Sequence, residues 1–227
     1  KAIGGLIAIL YGVTWLRKVA PVRLAFDLDL QKLLLGKGLL YSLALVVYTL
    51  NYRLDYLLLD FLADKSVVGL YAQGVVIIEI VLRIPGALVT VIFSHSATAD
   101  DAERFRQRTR RILTVAIPIM AAVALLACVV SPFFVPLLFG EEFAGSVPMI
   151  WALAPGIVAI GAFQIGVSDL NGCGRPEVGV YAGLAGLVCN VALNWVLIPL
   201  YGGVGAGLAS TVSYTVVAAI VLRVLRI

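Results

Sequence analysis

The stretch VAIPIMAAVALLACVV, residues 115–130, decides the fold class. It has no charged or amide side chain and is apolar on every face, so it shows neither the alternation of a half-buried strand nor the one-sided stripe of a surface helix. A strand of a transmembrane barrel would alternate apolar and polar residues over about ten positions. Read as a helix and extended to 112–131, the run covers about 30 Å, the thickness of the hydrocarbon core of a bilayer.

Comparable runs lie on both sides of it. The apolar pattern predicts spans at 2–16, 38–62, 67–94, 112–131, 147–169, 178–199 and 203–222. Composition agrees: 62% of the 227 residues are hydrophobic and 13% charged, against roughly 45–50% and about 25% in soluble domains. The mean hydropathy is +1.05. These values exclude a soluble globular protein and predict an all-α membrane protein, a polytopic helical bundle of about seven transmembrane helices. The first span is short for a bilayer, Lys1 is not an initiating Met, and no charged n-region with a short h-region precedes the apolar sequence; no signal peptide is indicated and the chain reads as a fragment. Between the first two spans, residues 17–37 are too polar to cross and read as a linker lying partly at the membrane interface. Cys128, Cys173 and Cys189 form no CxxC spacing and are odd in number, so neither disulfide nor metal site is indicated.

Charge gives the orientation. One set of alternate breaks holds Arg17, Lys18, Arg23, Lys32, Lys37, Arg104, Arg106, Arg108, Arg110, Arg111, Arg175, Arg223 and Arg226; the opposite set holds Lys1 and Lys65. Thirteen against two places the linker and the C-terminus in the cytoplasm of a multi-pass plasma-membrane protein. The five arginines of 104–111 read as a topology determinant and a contact for anionic head groups rather than a nucleic-acid patch.

Several charges fall inside spans, where each costs roughly 2.5–3.5 kcal/mol at the bilayer centre. They are Arg53, Asp55 and Asp60 in the second span and Glu79 and Arg83 in the third. Glu79 and Arg83 are four apart, an i, i+4 pair that neutralises itself on one helix face. Arg53 and Asp60 are two turns apart, and Asn51 and Asp55 make another i, i+4 pair. Three roles stay open at this point: buried ion pairs joining helices, a hydrated cavity presenting cations to an anionic substrate with the acids balancing charge or carrying a coupling ion, or side chains that snorkel to an interface. Tyr41, Tyr48, Tyr52 and Tyr56 form one stripe on the second span, suited to packing, to an interfacial belt or to stacking on sugar rings. His95, at the end of the third span, reads as a boundary residue. No nucleophile elbow, HExxH or phosphate-cradling glycine loop occurs, so no catalytic residue, cofactor or metal ligand is nominated.

From Leu170 to Tyr214 the sequence reads LNGCGRPEVGVYAGLAGLVCNVALNWVLIPLYGGVGAGLASTVSY. This resembles the C-terminal signature of polysaccharide flippases in the MATE-like MOP superfamily: a GRP hairpin, a helix with Asn190 and Asn194, then Ile198-Pro199-Leu200-Tyr201-Gly202, Gly205-Ala206 and a small-residue helix ending in Ser213-Tyr214. Arg53-Leu54-Asp55 with Val67-Val68-Gly69-Leu70-Tyr71 resembles the seventh and eighth helices of that family. Leu138-Phe139-Gly140-Glu141-Glu142-Phe143 resembles the outer loop after the ninth. The resemblance covers about 38–222. It implies two lobes of six helices joined by a cytoplasmic linker around a cavity that opens alternately to either side. On that map residues 1–16 end the last helix of the N-terminal lobe, 17–37 link the lobes, and 38–227 form the C-terminal six-helix lobe.

The expected function is therefore a flippase for undecaprenyl-diphosphate-linked oligosaccharide, not an enzyme. Substrate contacts are expected from Arg53, Arg83, Tyr48 and Tyr52, and ion coupling or charge balance from Glu79, Asp55 and Asp60. Expected partners are the lipid-linked oligosaccharide and membrane lipids, with other polysaccharide-assembly proteins as further candidates and no nucleic acid. Two alternatives stand beside it. A cation-coupled exporter of small organic molecules would want unpaired acids and few arginines in the cavity. A membrane glycosyltransferase or O-antigen ligase would want a large outer loop, whereas the outer breaks span only about 63–66, 132–146 and 200–202.

Overall fold

A computed structural model describes residues 27–97 and 102–226, the side chains of 102–106 excepted, together with residues 5, 11, 12, 14 and 15. Most of the expected span 2–16 and residues 17–26 of the expected linker lie outside the described residues. Contacts divide the chain into two units, Lys1–Gly38 and Leu39–Ile227.

In the first unit, Asp27 sets the start of helix α1 (Leu28–Leu62). Its Oδ1 accepts from the backbone N–H groups of Asp29, at 3.0 Å, and Leu30, at 3.1 Å. That cap satisfies donors that have no partner within the helix. Residues 28–37, expected as linker, are therefore the first turns of α1. Their polarity excludes them from the hydrocarbon but not from a helix, and the hydropathy pattern reports only the former.

In the second unit, α1 continues to Leu62. It is followed by α2 (Lys65–Ile78), a 3₁₀ segment (Glu79–Leu82) and α3 (Arg83–Ala97), then α4 (Ala102–Phe139), a second 3₁₀ segment (Glu141–Ser146), α5 (Val147–Gly172) and α6 (Glu177–Leu225). Five of these helical stretches are long and apolar enough to cross a membrane. The last is two legs: Gly202, at φ 55° and ψ −132°, breaks α6 where the sequence separates 178–199 from 203–222. This conformation is open to glycine and strained for other residues. The chain is thus an all-helical, multi-pass membrane protein, and the expected spans from 38 to 222 all fall within these helices.

Helix α5 is the axle. Met149, Ile157, Phe163, Ile165 and Leu170, among others, are buried along it, and it packs against α2, α3, α4 and α6. Lipid supplies no hydrophobic drive between helices, so close packing and hydrogen bonds must hold them. Gly156 allows a close approach: a Cβ there would stand 2.6 Å from Thr211 Cα. Thr211 Oγ1 donates to Ala152 O at 2.6 Å and accepts from Gly156 N at 3.2 Å, joining α5 to the second leg of α6.

The GRP hairpin ends α5. Gly174 adopts φ +73°. Its N–H donates to Asn171 O at 3.0 Å, and Arg175 N–H donates to Leu170 O at 2.9 Å. This is the Schellman arrangement, with glycine at the left-handed position and proline just beyond. Arg110, within the arginine run, donates through Nε and Nη2 to Leu225 O at 2.9 and 2.6 Å. One member of that run therefore caps the C-terminus of α6, where unsatisfied carbonyls and the helix dipole favour a cation.

Candidate functional site

The buried stripe of α1 repeats every four residues: Val47, Asn51, Asp55 and Leu59. Half of it is polar, which in a membrane requires partners from facing helices. Asp55 is 1% exposed and finds four. Its Oδ1 accepts from Asn190 Nδ2 and Asn194 Nδ2, each at 3.0 Å. Its Oδ2 accepts from Tyr71 Oη at 2.8 Å and from Ser210 Oγ. Asn190 Nδ2 also lies 3.4 Å from Ser210 Oγ and from Ser213 Oγ. Three elements, α1, α2 and both legs of α6, thus converge on one carboxylate. All four donors are neutral, and no cationic side chain pairs with Asp55 among the described residues. Asn51 Oδ1 and Asn194 Oδ1 beside it are buried without a hydrogen-bond partner among the described residues.

One residue further round α1 runs a half-buried aromatic row. Tyr48 stacks on Tyr52 with centroids 6.0 Å apart, on Phe163 of α5 at 6.2 Å, and Tyr52 stacks on Tyr214 of α6 at 6.0 Å. Tyr56 meets Tyr71 edge-on at 5.5 Å. The expected tyrosine stripe is therefore real from 48 to 56. Tyr41, on the same face, joins no ring stack among the described residues and donates to Asn171 O at 2.6 Å.

Arg53 is exposed on the next face. Its guanidinium lies 5.5 Å from the Tyr52 ring centroid and 5.7 Å from that of Tyr56, contacts worth about 0.5–2 kcal/mol each according to desolvation. Neither Asp55 nor Asp60 pairs with it. Asp55 points into the bundle, and Asp60 is exposed two turns on.

Glu79 and Arg83 do not pair either. Glu79 accepts instead from Tyr52 Oη at 2.7 Å. The cause is the 3₁₀ segment Glu79–Leu82 that separates them: four residues along an α-helix leave side chains about 40° apart, whereas along a 3₁₀ turn they are about 120° apart. Both line a groove of about 820 Å³ whose other wall includes Leu126, Val130 and Phe134 of α4. The structure thus gathers Arg53, Tyr48, Tyr52 and Glu79 into one patch, sets Asp55 behind it, and leaves Arg83 on the groove and Asp60 apart. His95 stands in the last turn of α3.

Asn190, Asn194, Tyr71 and Ser210, the partners of Asp55, were not singled out by sequence reasoning as site residues. Part of the signal is legible for two: asparagines four apart inside an apolar span must each find a polar partner, though the sequence does not say which.

The chain is 24% identical over 183 residues to the probable flippase AglR of Haloferax volcanii, an alignment covering 76% of this chain and 37% of that protein. It is 26% identical over 104 residues to the uncharacterized membrane protein MJ1068 of Methanocaldococcus jannaschii, covering 46% and 20%. The chain therefore spans between a fifth and two fifths of the length of these relatives. In fold it is similar to a solved multidrug resistance MATE family transporter of the MOP superfamily in its outward-facing conformation, with a TM-score of 0.59 and 18% identity over 81% of this chain and 42% of that one. A family model described as polysaccharide biosynthesis protein matches residues 3–148. With well over half of its residues matched, and with the helical membrane architecture described above, the chain belongs to the polysaccharide biosynthesis protein family.

Proposed function

We propose that the chain is the C-terminal lobe, with the linker and the end of the preceding helix, of a flippase that carries undecaprenyl-diphosphate-linked oligosaccharide across the plasma membrane. Residues 1–16, 17–37 and 38–227 are the three parts. The observation that carries this reading is Arg53: a guanidinium held over two tyrosine rings on a membrane-spanning helix, exposed, with no carboxylate partner among the described residues. Such a cation is expensive in lipid unless it faces a hydrated cavity or an anion. Its planar fork suits the bidentate oxygens of a diphosphate and keeps its charge at every physiological pH. The name of the Haloferax relative supports the same activity.

On this reading the head group enters a cavity completed by the rest of the longer protein, Arg53 meets the diphosphate, and Tyr48 and Tyr52 offer ring faces to sugar. Arg83 is a second cation at the lipid-side groove. No covalent bond is made or broken, so the protein is a carrier and not an enzyme. Asp55 is the coupling group: a buried carboxylate held only by neutral donors needs a proton or small cation to balance it, and exchange of that cation drives the rocking of the lobes. Glu79 and Asp60 balance charge around the cavity. The linker, the Arg175 hairpin and the C-terminus face the cytoplasm, as the thirteen-to-two bias requires. Partners are the lipid-linked oligosaccharide, membrane lipids and polysaccharide-assembly proteins.

Complementation by the full-length protein in a host lacking its own flippase tests the reading. Arg53→Lys lowers export about tenfold, the loss expected when a bidentate contact becomes a single one, and Arg53→Ala lowers it further, with protein yield unchanged. Normal export by Arg53→Ala refutes it. Asp55 alone also suits a cation-coupled exporter of small organic molecules, which would work regardless of Arg53.

A further inference from the structure

A second pocket, of about 400 Å³, meets the Arg53 and Glu79 patch at Tyr48 and has neither charge in its lining; it lies between the first half of the membrane-spanning part of α1, the end of α3 and the C-terminal half of α5. Its chemistry is distinct. Tyr41, Tyr48, Phe93 and Phe163 supply aromatic surface, Gln164 and Asn171 supply amides, and no charged side chain is among its lining residues. Gln164 is the only amide within the long apolar run of α5 that precedes Asp169, and it is turned to this pocket rather than into the core.

Gln164 Nε2 donates to Tyr48 Oη at 2.7 Å. That bond uses one lone pair of the tyrosine oxygen and one amide proton. It leaves the Tyr48 hydroxyl proton and Gln164 Oε1, on the two groups that the bond joins, with no partner among the described residues. Tyr41 Oη, which donates to Asn171 O at 2.6 Å, keeps its own acceptor capacity at the other end. A donor and an acceptor held next to each other match a group that both accepts and donates, which is what each hydroxyl of a sugar does. The half-buried Tyr48 ring, backed by the buried Phe163 ring, adds an apolar face for the C–H side of a pyranose. A diphosphate or a uronic acid would enter without a cation to balance it, a large penalty at this depth.

We propose that this pocket is a subsite for a neutral pyranose of the transported glycan, separate from the diphosphate contact at Arg53. It rests on the lipid-linked glycan reading and adds that the C-terminal lobe selects an uncharged sugar through the Tyr48–Gln164 pair. The pocket lies towards the Arg175 hairpin, the side on which the charge bias places the cytoplasm, so it would be filled when substrate loads.

The experiment is saturation-transfer NMR on the full-length protein in lipid nanodiscs. The probes are methyl glycosides of glucose, galactose, mannose and N-acetylglucosamine, with methyl glucuronide as the charged counterpart and inorganic pyrophosphate as a separate probe. At least one neutral glycoside binds and the glucuronide binds at least about tenfold more weakly. Gln164→Leu lowers the neutral affinity about fivefold to tenfold, the loss of one hydrogen bond with its partner left unmet. Ala44→Phe, which fills the pocket from a half-exposed position of α1 without removing a hydrogen bond, abolishes binding and keeps the test decisive if Gln164→Leu fails to fold. No neutral glycoside bound, equal binding of the glucuronide, or binding indifferent to both variants overturns the subsite. Pyrophosphate binding that is lost in Arg53→Ala upholds the flippase reading even then, and glycoside binding without any pyrophosphate binding upholds the pocket while removing the diphosphate contact.

Discussion

Neutralising Asp55 separates a coupling group from a structural one. Truncation to Ala removes all four hydrogen bonds that converge on the carboxylate. Interhelical bonds in membranes contribute about 0.6 kcal/mol on average and about 1.7 at most, so the four account for about 2–3 kcal/mol, with about 1 more for the space left behind. Asp55→Asn is different. Its remaining oxygen, in the place of Oδ1, keeps both asparagine donors, and its new amide meets Tyr71 Oη and Ser210 Oγ, hydroxyls that rotate to accept as readily as they donate. The expected cost is about 1 kcal/mol or less, because removing a buried charge offsets part of what the rearranged bonds lose. Unfolding of the full-length protein in mixed micelles, titrated with SDS, measures both variants. Glycan flipping in proteoliposomes, with and without an imposed proton or sodium gradient, measures coupling. Asp55→Asn is expected to be nearly as stable as the parent and to lose the gradient dependence. If Asp55→Asn falls as far as Asp55→Ala, the negative charge itself holds the helices together and the coupling role is refuted.

Since Glu79 bonds Tyr52 and not Arg83, Glu79→Gln and Arg83→Gln should be additive in stability within about 0.5 kcal/mol, whereas Glu79→Gln and Tyr52→Phe should couple by about 0.5–2 kcal/mol in a double-mutant cycle. Single cysteines introduced into a cysteine-free background at Gln107 and Arg175 should be labelled only from the cytoplasm, and one at Glu142 only from outside; Glu142 and Arg175 labelled from the same side would remove α5 as a crossing. Arg110→Ala should destabilise the last turn of α6 by about 1 kcal/mol, read as faster amide exchange confined to the residues before Leu225.

Much of this architecture is legible in the sequence because a bilayer imposes one rule, that backbone polar groups be satisfied within the segment. The run at 115–130 needs no partner to be recognised as a helix, and Gly202 marks the break in α6. What the sequence conceals is geometry that depends on winding. Glu79 and Arg83 obey the i, i+4 rule only if the helix between them is α, and four residues of 3₁₀ winding send them apart. The same holds for depth. Arg53, Asp55 and Asp60 look alike as intramembrane charges, yet Asp55 alone falls in the four-residue stripe with Val47, Asn51 and Leu59 that faces the bundle. Asn190 and Asn194 were visible as residues, but nothing local says that their amides meet a carboxylate 135 and 139 positions earlier.

The extensive burial of α5, which leaves mainly Pro148, Trp151 and Pro155 exposed, has a consequence for how the protein is made. A helix with so little lipid-facing surface cannot settle fully when it leaves the translocon, because the neighbour it needs for Gly156 and Ala152, the leg of α6 that carries Thr211, has not yet been synthesised. It waits beside α4 in a half-packed state, its small residues lined with lipid tails. Only when the chain has turned at Gly202 and the final leg inserts do the Thr211 bonds close, and Ser210 on the same leg reaches Asp55 at that moment. Completion of the core and completion of the polar centre are therefore one late event in biogenesis, so that a substitution along the α5 seam registers first as protein cleared by quality control, before any defect in transport can be seen.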